Sequence, residues 1–435
     1  MTAQREIRLV LPHLARRAPE PLQVTTKPIG PRCNLDCTYC YYLKKDRLYP
    51  DTRKFRMSED VLETFIRDYI ASQSPLDTPE IWFLWHGGEP TLLGIDYYRT
   101  LVGLQRKYCP PGKTIRNALQ TNGTLLDSEW ALFLKENNFL VGLSIDGPRH
   151  LHDRYRVDRR ELPTFDKVMA ALELLREGGV EFNVLTVIHR ENARRPGELY
   201  RFLKGLGVEF MQFIPAVERL PNPTADAKGV SGGGKQPDSE IAALVTPWSV
   251  LPDAYGRFLC GIFDEWIRKD VGRIFVQFFD VQLALWMGGP AGLCWFSETC
   301  GRQTALEHNG DLYACDHYVR PEYLLGNIMR TPLDVLAASP DLHRFGDDKK
   351  RTLPSCCIDC EFRFACHGGC PQHRFLRDRE GDENLNYFCA SYRRFFAHAG
   401  PDLKIMANLV RRGQPAGRIM EMRRPKRPRS GRPQR

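Results

Sequence analysis

Three cysteines crowd into the run Pro31-Arg32-Cys33-Asn34-Leu35-Asp36-Cys37-Thr38-Tyr39-Cys40-Tyr41-Tyr42. Their C-x3-C-x2-C spacing offers three thiolates to a metal centre, whereas a closed zinc or iron–sulfur site takes four. Three local ligands without a fourth nearby suggest a cluster with one iron left open to a small molecule. On the triplet alone, a zinc knuckle completed by a distant cysteine is the competing reading. A second thiol-rich stretch lies far downstream, where nine of the 14 cysteines fall between residues 294 and 389: Cys294, Cys300, Cys315, Cys356, Cys357, Cys360, Cys366, Cys370 and Cys389. Thiolates at this density repel one another unless a cation neutralises them, so the pattern points to metal. Eight of them would close two four-ligand sites and leave one spare. Two zinc ribbons satisfy the same count.

These side chains need a scaffold, and the stretch from residue 23 to about 215 supplies one. Short β-rich runs at Gln23–Ile29, Ile81–Trp85, Ile115–Gln120, Leu140–Ile145, Glu181–Ile188 and Glu209–Ile214 alternate with stretches of helical apolar spacing. The helical stretches are Ser58–Ser72, Asp96–Tyr108, Asp127–Asn137, Thr164–Glu177 and Pro196–Leu206. Repeated βα units predict an α/β fold with a parallel sheet, and six strands fit an open partial (β/α)6 barrel. In such barrels the chemistry sits in loops leaving the C-terminal ends of strands. The polar motifs obey that rule: Cys33–Cys40 follows the first strand, His86-Gly87-Gly88-Glu89-Pro90 the second, Thr121-Asn122-Gly123 the third and Asp146-Gly147-Pro148 the fourth.

Charge and composition exclude simpler roles. The net charge of +9 resides entirely in residues 411–435, which hold ten Lys/Arg and one acid, Glu421; the rest of the chain is close to neutral. That distribution argues against a specific nucleic-acid-binding body and predicts a Pro-rich, disordered basic tail. The chain has no apolar run long enough to span a membrane, and the Arg16-Arg17 pair is followed by Ala-Pro-Glu-Pro rather than an export signal's apolar core. Fourteen cysteines in such a chain predict metal binding in a reducing cytoplasm rather than a disulfide framework. Cys109 and Cys260, in helical stretches without metal-ligand neighbours, are expected to be small core residues.

The triplet, with Tyr39 before its last cysteine, resembles the signature of the radical S-adenosylmethionine (SAM) superfamily, and Gly87-Gly88-Glu89-Pro90 resembles that superfamily's GGEP motif. The C-terminal pattern C-x5-C-x14-C, then C-x2-C-x5-C-x3-C and a distant last cysteine, resembles the SPASM domain, which carries two auxiliary [4Fe–4S] clusters. Within that group Cys315-Asp316-His317-Tyr318-Val319 through Leu325-Gly326-Asn327-Ile328 is similar to the anaerobic sulfatase-maturating enzymes. So are Leu119–Thr124, Gly142–Pro148 and Leu385–Cys389. The resemblance implies oxidation of a sulfatase cysteine or serine to Cα-formylglycine, with SAM and three [4Fe–4S] clusters as cofactors.

It also implies roles residue by residue. Cys33, Cys37 and Cys40 would hold the SAM cluster; Cys294, Cys300, Cys315 and Cys370 the first auxiliary cluster; Cys357, Cys360, Cys366 and Cys389 the second, with Cys356 spare. The SAM contacts would be Gly87, Gly88, Glu89 and Pro90, mainly through backbone, with Ser144 and Arg156. Asp316 would be the general base, and Tyr42 would line the substrate pocket. The implied partners are an unfolded or nascent sulfatase with a C/S-x-P-x-R segment and a small electron donor such as a flavodoxin or ferredoxin, with no specific nucleic acid and no membrane. The implied layout is an N-terminal extension over 1–22, the barrel over 23–220, a mobile loop over 221–246, a helical bridge over 247–290, the SPASM domain over 291–400 and the basic tail over 401–435. The alternatives are a SPASM enzyme that forms thioethers or epimerises another peptide, and a zinc-bearing nucleic-acid-binding protein.

Overall fold

The computed structural model describes residues 22–221 and 238–423. Six parallel strands form in the expected places: β1 (Gln23–Lys27), β2 (Glu80–Trp85), β3 (Thr114–Thr121), β4 (Phe139–Ser144), β5 (Glu181–Ile188) and β6 (Phe210–Pro215). They are neighbours in sequence order throughout. The helices between them are α1 (Glu59–Gln73), α2 (Ile95–Tyr108), α3 (Ser128–Glu136), α4 (Phe165–Glu177) and α5 (Pro196–Gly205). Helix α1 shows how sequence dictates the element: the Ser58 hydroxyl accepts from the Val61 amide, while Leu62, Phe65 and Ile66 share one buried face. The ring of Phe65 meets those of Phe83 and Trp85 edge-on, locking α1 onto β2.

The sheet is larger than a six-strand barrel, running to ten strands in the order β10-β9-β8-β1-β2-β3-β4-β5-β6-β7. At one edge β7 (Phe275–Val276) pairs with β6. At the other, β8 (Gln303–Glu307) lies parallel to β1 in the register Gln23↔Gln303 through Lys27↔Glu307. The hairpin strands β9 (Asp311–Tyr313) and β10 (Leu324–Asn327) continue antiparallel from it. The cysteine-rich region therefore grows out of the barrel's own sheet. Its thiols hang on the loops around this hairpin and on the segment leading into α8 (Cys389–Arg411), whose first residue is the last of them.

Three expected boundaries move. The stretch expected as a helical bridge over 247–290 contains α6 (Pro252–Lys269) and α7 (Gln277–Trp286) and also contributes β7 to the sheet. Of the loop expected over 221–246, residues 222–237 lie outside the described residues, while Asp238–Ala242 is helical and Leu244 and Val245 are buried. The tail expected from residue 401 is corrected up to residue 423. Helix α8 continues to Arg411 and buries Leu403, Met406 and Ala407, whose spacing forms one apolar stripe; Ile419 is buried in a further turn. Positive charge on its outer face is compatible with that packing, because the apolar face alone decides docking. Residues 1–21 and 424–435, which hold most of the expected extension and the rest of the basic tail, lie outside the described residues. Cys109 and Cys260 are half-buried rather than enclosed in the core.

Candidate active site

The loop after β1 and the loop after β2 are zipped together. The Gly88 amide donates to Gly30 O at 2.8 Å and the Glu89 amide to Arg32 O at 2.8 Å. This approach requires glycine at 88, since a Cβ there would sit 1.9 Å from Arg32 O. The Glu89 side chain, buried, ties the second loop to the third. Its Oε1 accepts from the Thr91 amide, the Thr91 hydroxyl and the Thr121 hydroxyl, and its Oε2 from the Asn122 amide at 2.8 Å. The acidic residue of the Gly87–Pro90 motif thus holds two strand-end loops in register.

The triplet loop lies against the segment after β4. Asp36 and Thr38 amides donate to Val157 O and Tyr155 O, and Arg159 Nε donates to Cys33 O at 2.8 Å. Between them Arg156 Nε donates to Asp146 Oδ2 at 2.9 Å, and the Tyr39 hydroxyl also donates to that carboxylate. Ser144, at the end of β4, accepts from Gln120 Nε2 at 3.2 Å. The thiols of Cys33, Cys37 and Cys40 lie within electrostatic reach of one another. Burial pushes Cys33 and Cys37 up to about 12, with the neighbouring thiols adding to the rise and Arg156 opposing it at Cys37. Thiolates at these positions need a cationic partner, which iron would be.

The downstream thiols sort into two groups. Burial raises Cys294, Cys300, Cys315 and Cys370; thiols of the same group add to the rise at Cys294, Cys315 and Cys370, while Lys349 and Arg374 oppose it at Cys300. Cys357, Cys360, Cys366 and Cys389 ring a cavity of about 40 Å³, whose wall also includes Tyr392 and Arg393. Cys356 lines the same cavity but is exposed, whereas Cys357 is half-buried. Among the described residues no three Cys, His, Asp or Glu side chains converge on a single-ion site. Of the expected ligand sets, Cys33, Cys37 and Cys40 share one loop, and Cys357, Cys360, Cys366 and Cys389 share one cavity wall. All 14 cysteines are free thiols.

Asp316 stands where the two halves meet. It follows Cys315 in the loop after β9, and its carboxylate pairs with Lys27 at the end of β1 and accepts from the Tyr41 hydroxyl at 2.6 Å. Burial pushes the carboxyl upward, but the Lys27 ammonium, with His86 and His317 nearby, overrides it and holds the group well below the usual carboxylate range. The Lys27 side chain is fully buried, and its ammonium lies 3.5 Å from the centre of the Tyr42 ring. Tyr42, only 3% exposed, turns its hydroxyl to buried Glu307. Tyr42 thus lies as the floor under Lys27. The aromatic residue that reaches Asp316 is its neighbour Tyr41, 40% exposed and stacked on His317 at 5.3 Å.

Lys27, Tyr41 and Glu307 escape a reading of the sequence motifs. A lysine closing an otherwise buried strand before Pro28 was the available signal for the first. His86, to which no role attached, proves to lie near Lys27 and Asp316, and burial pulls its ring down to about 4.

Comparison with known proteins follows the same division. Residues 28–203 match the Radical SAM superfamily model and residues 294–361 the SPASM iron–sulfur cluster-binding domain model. The chain is 43% identical over 402 residues to the serine-type anaerobic sulfatase-maturating enzyme of Bacteroides thetaiotaomicron, covering 92% of this chain and 95% of that protein. It is 34% identical over 397 residues to the cysteine-type enzyme of Clostridium perfringens strain 13, covering 90% of this chain and all of that one. The fold superposes on the solved structure of native anSMEcpe with bound AdoMet and Kp18Cys peptide with a TM-score of 0.77 and 34% identity, over 89% of this chain and 99% of that one.

Proposed function

The chain belongs to the anaerobic sulfatase-maturating enzymes of the radical SAM family, and from that premise we propose that it oxidises a cysteine or serine of a sulfatase polypeptide to Cα-formylglycine, with Asp316 taking the side-chain proton. The observation that carries the assignment to Asp316 is its position. One carboxylate, next to Cys315, also touches Lys27 and the Tyr41 hydroxyl beside the Cys33–Cys40 triplet.

Oxidation of a Cβ–OH or Cβ–SH carbon to the aldehyde level removes a hydrogen atom, an electron and a proton, and a thioaldehyde then exchanges sulfur for water. When bound, SAM on a cluster held by Cys33, Cys37 and Cys40 supplies the hydrogen-atom abstraction, and clusters on the two downstream thiol sets supply an acceptor for the electron. The remaining work falls to the protein. Lys27 keeps Asp316 ionised, so it is ready to accept the thiol or hydroxyl proton. Tyr41 donates to the same carboxylate and fixes the direction of its free lone pairs. Backbone of Gly87–Pro90, the Ser144 hydroxyl and the Arg156 guanidinium would receive the amino-acid end of SAM, the last as a planar fork for its carboxylate. Asp146 holds that fork through Nε.

The substrate segment would be C/S-x-P-x-R in a nascent or unfolded sulfatase, and reducing equivalents would come from a small flavodoxin- or ferredoxin-like donor. The free thiols suit a reducing cytoplasm. Among the described residues no helix is long and apolar enough to cross a membrane. Anaerobic incubation of the reconstituted enzyme with SAM, a reductant and such a peptide tests the assignment. Mass spectrometry should show a serine peptide losing two hydrogens, or a cysteine peptide exchanging SH and H for a carbonyl oxygen. SAM cleavage with neither change would refute it.

A further inference from the structure

One loop joins the two downstream thiol sets: Cys366-His367-Gly368-Gly369-Cys370, with the second set's Cys366 at one end and the first set's Cys370 at the other. Its three inner residues all have positive φ, 46° at His367, 72° at Gly368 and 62° at Gly369. Such a run is rare, and a non-glycine residue in it is held there at a cost. The carbonyls of all three converge on one group, the guanidinium of Arg374. Arg374 Nε donates to Gly368 O at 3.0 Å, and Nη2 donates to His367 O at 2.8 Å and Gly369 O at 3.4 Å. Nη1 donates to Lys349 O at 2.6 Å. The guanidinium fills the space a side chain at 368 would need, since a Cβ there would lie 2.7 Å from Nη2.

Arg374 is 8% exposed, and every one of these bonds ends on a carbonyl rather than a carboxylate. A buried cation without a counter-charge is expensive, and carbonyl dipoles offset only part of that expense. The guanidinium is fixed to the carbonyls of residues 367–369, directly between Cys366 of the second set and Cys370 of the first, so thiols of both sets are its nearby negative partners. Cys300 and Cys370 of the first set and Cys357 and Cys366 of the second all act electrostatically on the guanidinium. Lys349, also buried, is acted on by Cys294, Cys300 and Cys370 of the first set. Four thiolates around a [4Fe–4S] cube leave a net negative centre, which becomes more negative on reduction, so a cation shared by two such centres favours reduction of both.

We infer that Arg374 is a positioning residue that anchors the Cys366–Cys370 loop and places one positive charge between the two auxiliary cluster sites, tying their assembly and their reduction potentials to a single guanidinium. The inference rests on the reading of the eight downstream cysteines as ligands of two [4Fe–4S] clusters.

The test uses the full chain with Cys33, Cys37 and Cys40 changed to Ala, so that only auxiliary clusters can load, reconstituted anaerobically. Iron and sulfide are counted, and each cluster is titrated by electron paramagnetic resonance. With Arg374 intact, iron and sulfide for two four-iron clusters are expected; zinc or no iron would sink the ligand reading itself. Arg374→Met should lower both potentials together, by about tenfold in each reduction equilibrium, or about 59 mV for a one-electron couple. Arg374→Lys, which keeps the charge but cannot fork to the loop carbonyls, should recover most of that shift. Full iron with both Met-variant potentials unmoved, or with one moved alone, would overturn the inference while leaving the ligand reading intact. If the Met variant fails to load, the Lys variant decides. Two clusters loaded with raised loop mobility in hydrogen exchange support the anchor, and parental exchange of the 366–370 amides overturns it.

Discussion

Glu89 offers the sharpest quantitative prediction, because its carboxylate holds two strand-end loops together with four accepted hydrogen bonds. Glu89→Gln keeps the shape but replaces one oxygen with an NH2 group. The two threonine hydroxyls can rotate to suit either orientation. The backbone amides cannot, and one faces each oxygen, Thr91 at Oε1 and Asn122 at Oε2. Whichever way the amide lies, a buried donor then meets a buried donor. An unsatisfied buried donor costs about 1–3 kcal/mol, and bonds to a neutral acceptor are weaker than those to a charged one by roughly 1 kcal/mol. Against this stands the relief of an unfavourable term, since burial raises the Glu89 pKa and a neutral amide escapes that desolvation. The net expectation is a loss of about 2 kcal/mol in folding stability. Urea denaturation of the full chain followed by circular dichroism under anaerobic conditions reads it. Because the Asn122 side chain reaches Cys33 Sγ at 3.7 Å, weaker SAM binding should accompany the loss. A Glu89→Gln protein within about 0.5 kcal/mol of the parent would refute the donor–donor argument, since changes of that size are typical of surface sites.

Other outcomes follow from the same geometry. Asp316→Asn should leave SAM cleavage intact while formylglycine formation falls about 10²–10⁴-fold, as expected for loss of a general base; full turnover by mass spectrometry would defeat the assignment. Gly88→Ala, whose Cβ would lie 1.9 Å from the Arg32 carbonyl, should cost about 3 kcal/mol or more and depress SAM affinity, read by denaturation and equilibrium dialysis. Burial pushes Asp280 on α7 up to about 7. The folded-state pKa thus exceeds the unfolded value near 4, so this group's stability contribution is complete below about pH 4 and fades as pH rises through about 7. Asp280→Asn should therefore stabilise the protein by roughly 1–3 kcal/mol at pH 8 and by less at pH 6, a figure discounted for partial exposure. An equal effect at both pH values in thermal melts would count against it.

The barrel was legible because its signals are local. Six short β-rich runs and the intervening helical stripes stand in the sequence within a residue or two of where they fold, and each motif closes a strand. The thiols were legible by type, and their division between sites came from resemblance. What remained hidden depends on contacts between distant positions. Nothing near Lys27 announces that it pairs with Asp316, 289 residues downstream, because that pair exists only once β8 has added beside β1. Arg374 reads locally as one more arginine in a charged segment, and its role becomes visible only when three successive carbonyls are seen to converge on it. Tyr41 and Tyr42 are adjacent aromatics that no pattern separates; the strand-end geometry buries one and presents the other. The helix through 401–411 was obscured by the basic residues that follow it, although its stripe of Leu403, Met406 and Ala407 was available.

The continuous hydrogen-bond ladder from β1 into β8 bears on how such proteins can be recombined. Residue 291 looks like a seam between modules, yet the ladder crosses it, and the register Lys27↔Glu307 fixes how far Asp316 stands from the triplet. A graft of a foreign C-terminal module joined at that seam would bring its own edge strand to a β1 that had never been matched to it. Slippage by one residue would turn every side chain of the strand to the opposite face. A functional chimaera should therefore exchange β1 and the β8–β10 hairpin as a unit, even though some 280 residues of sequence separate them.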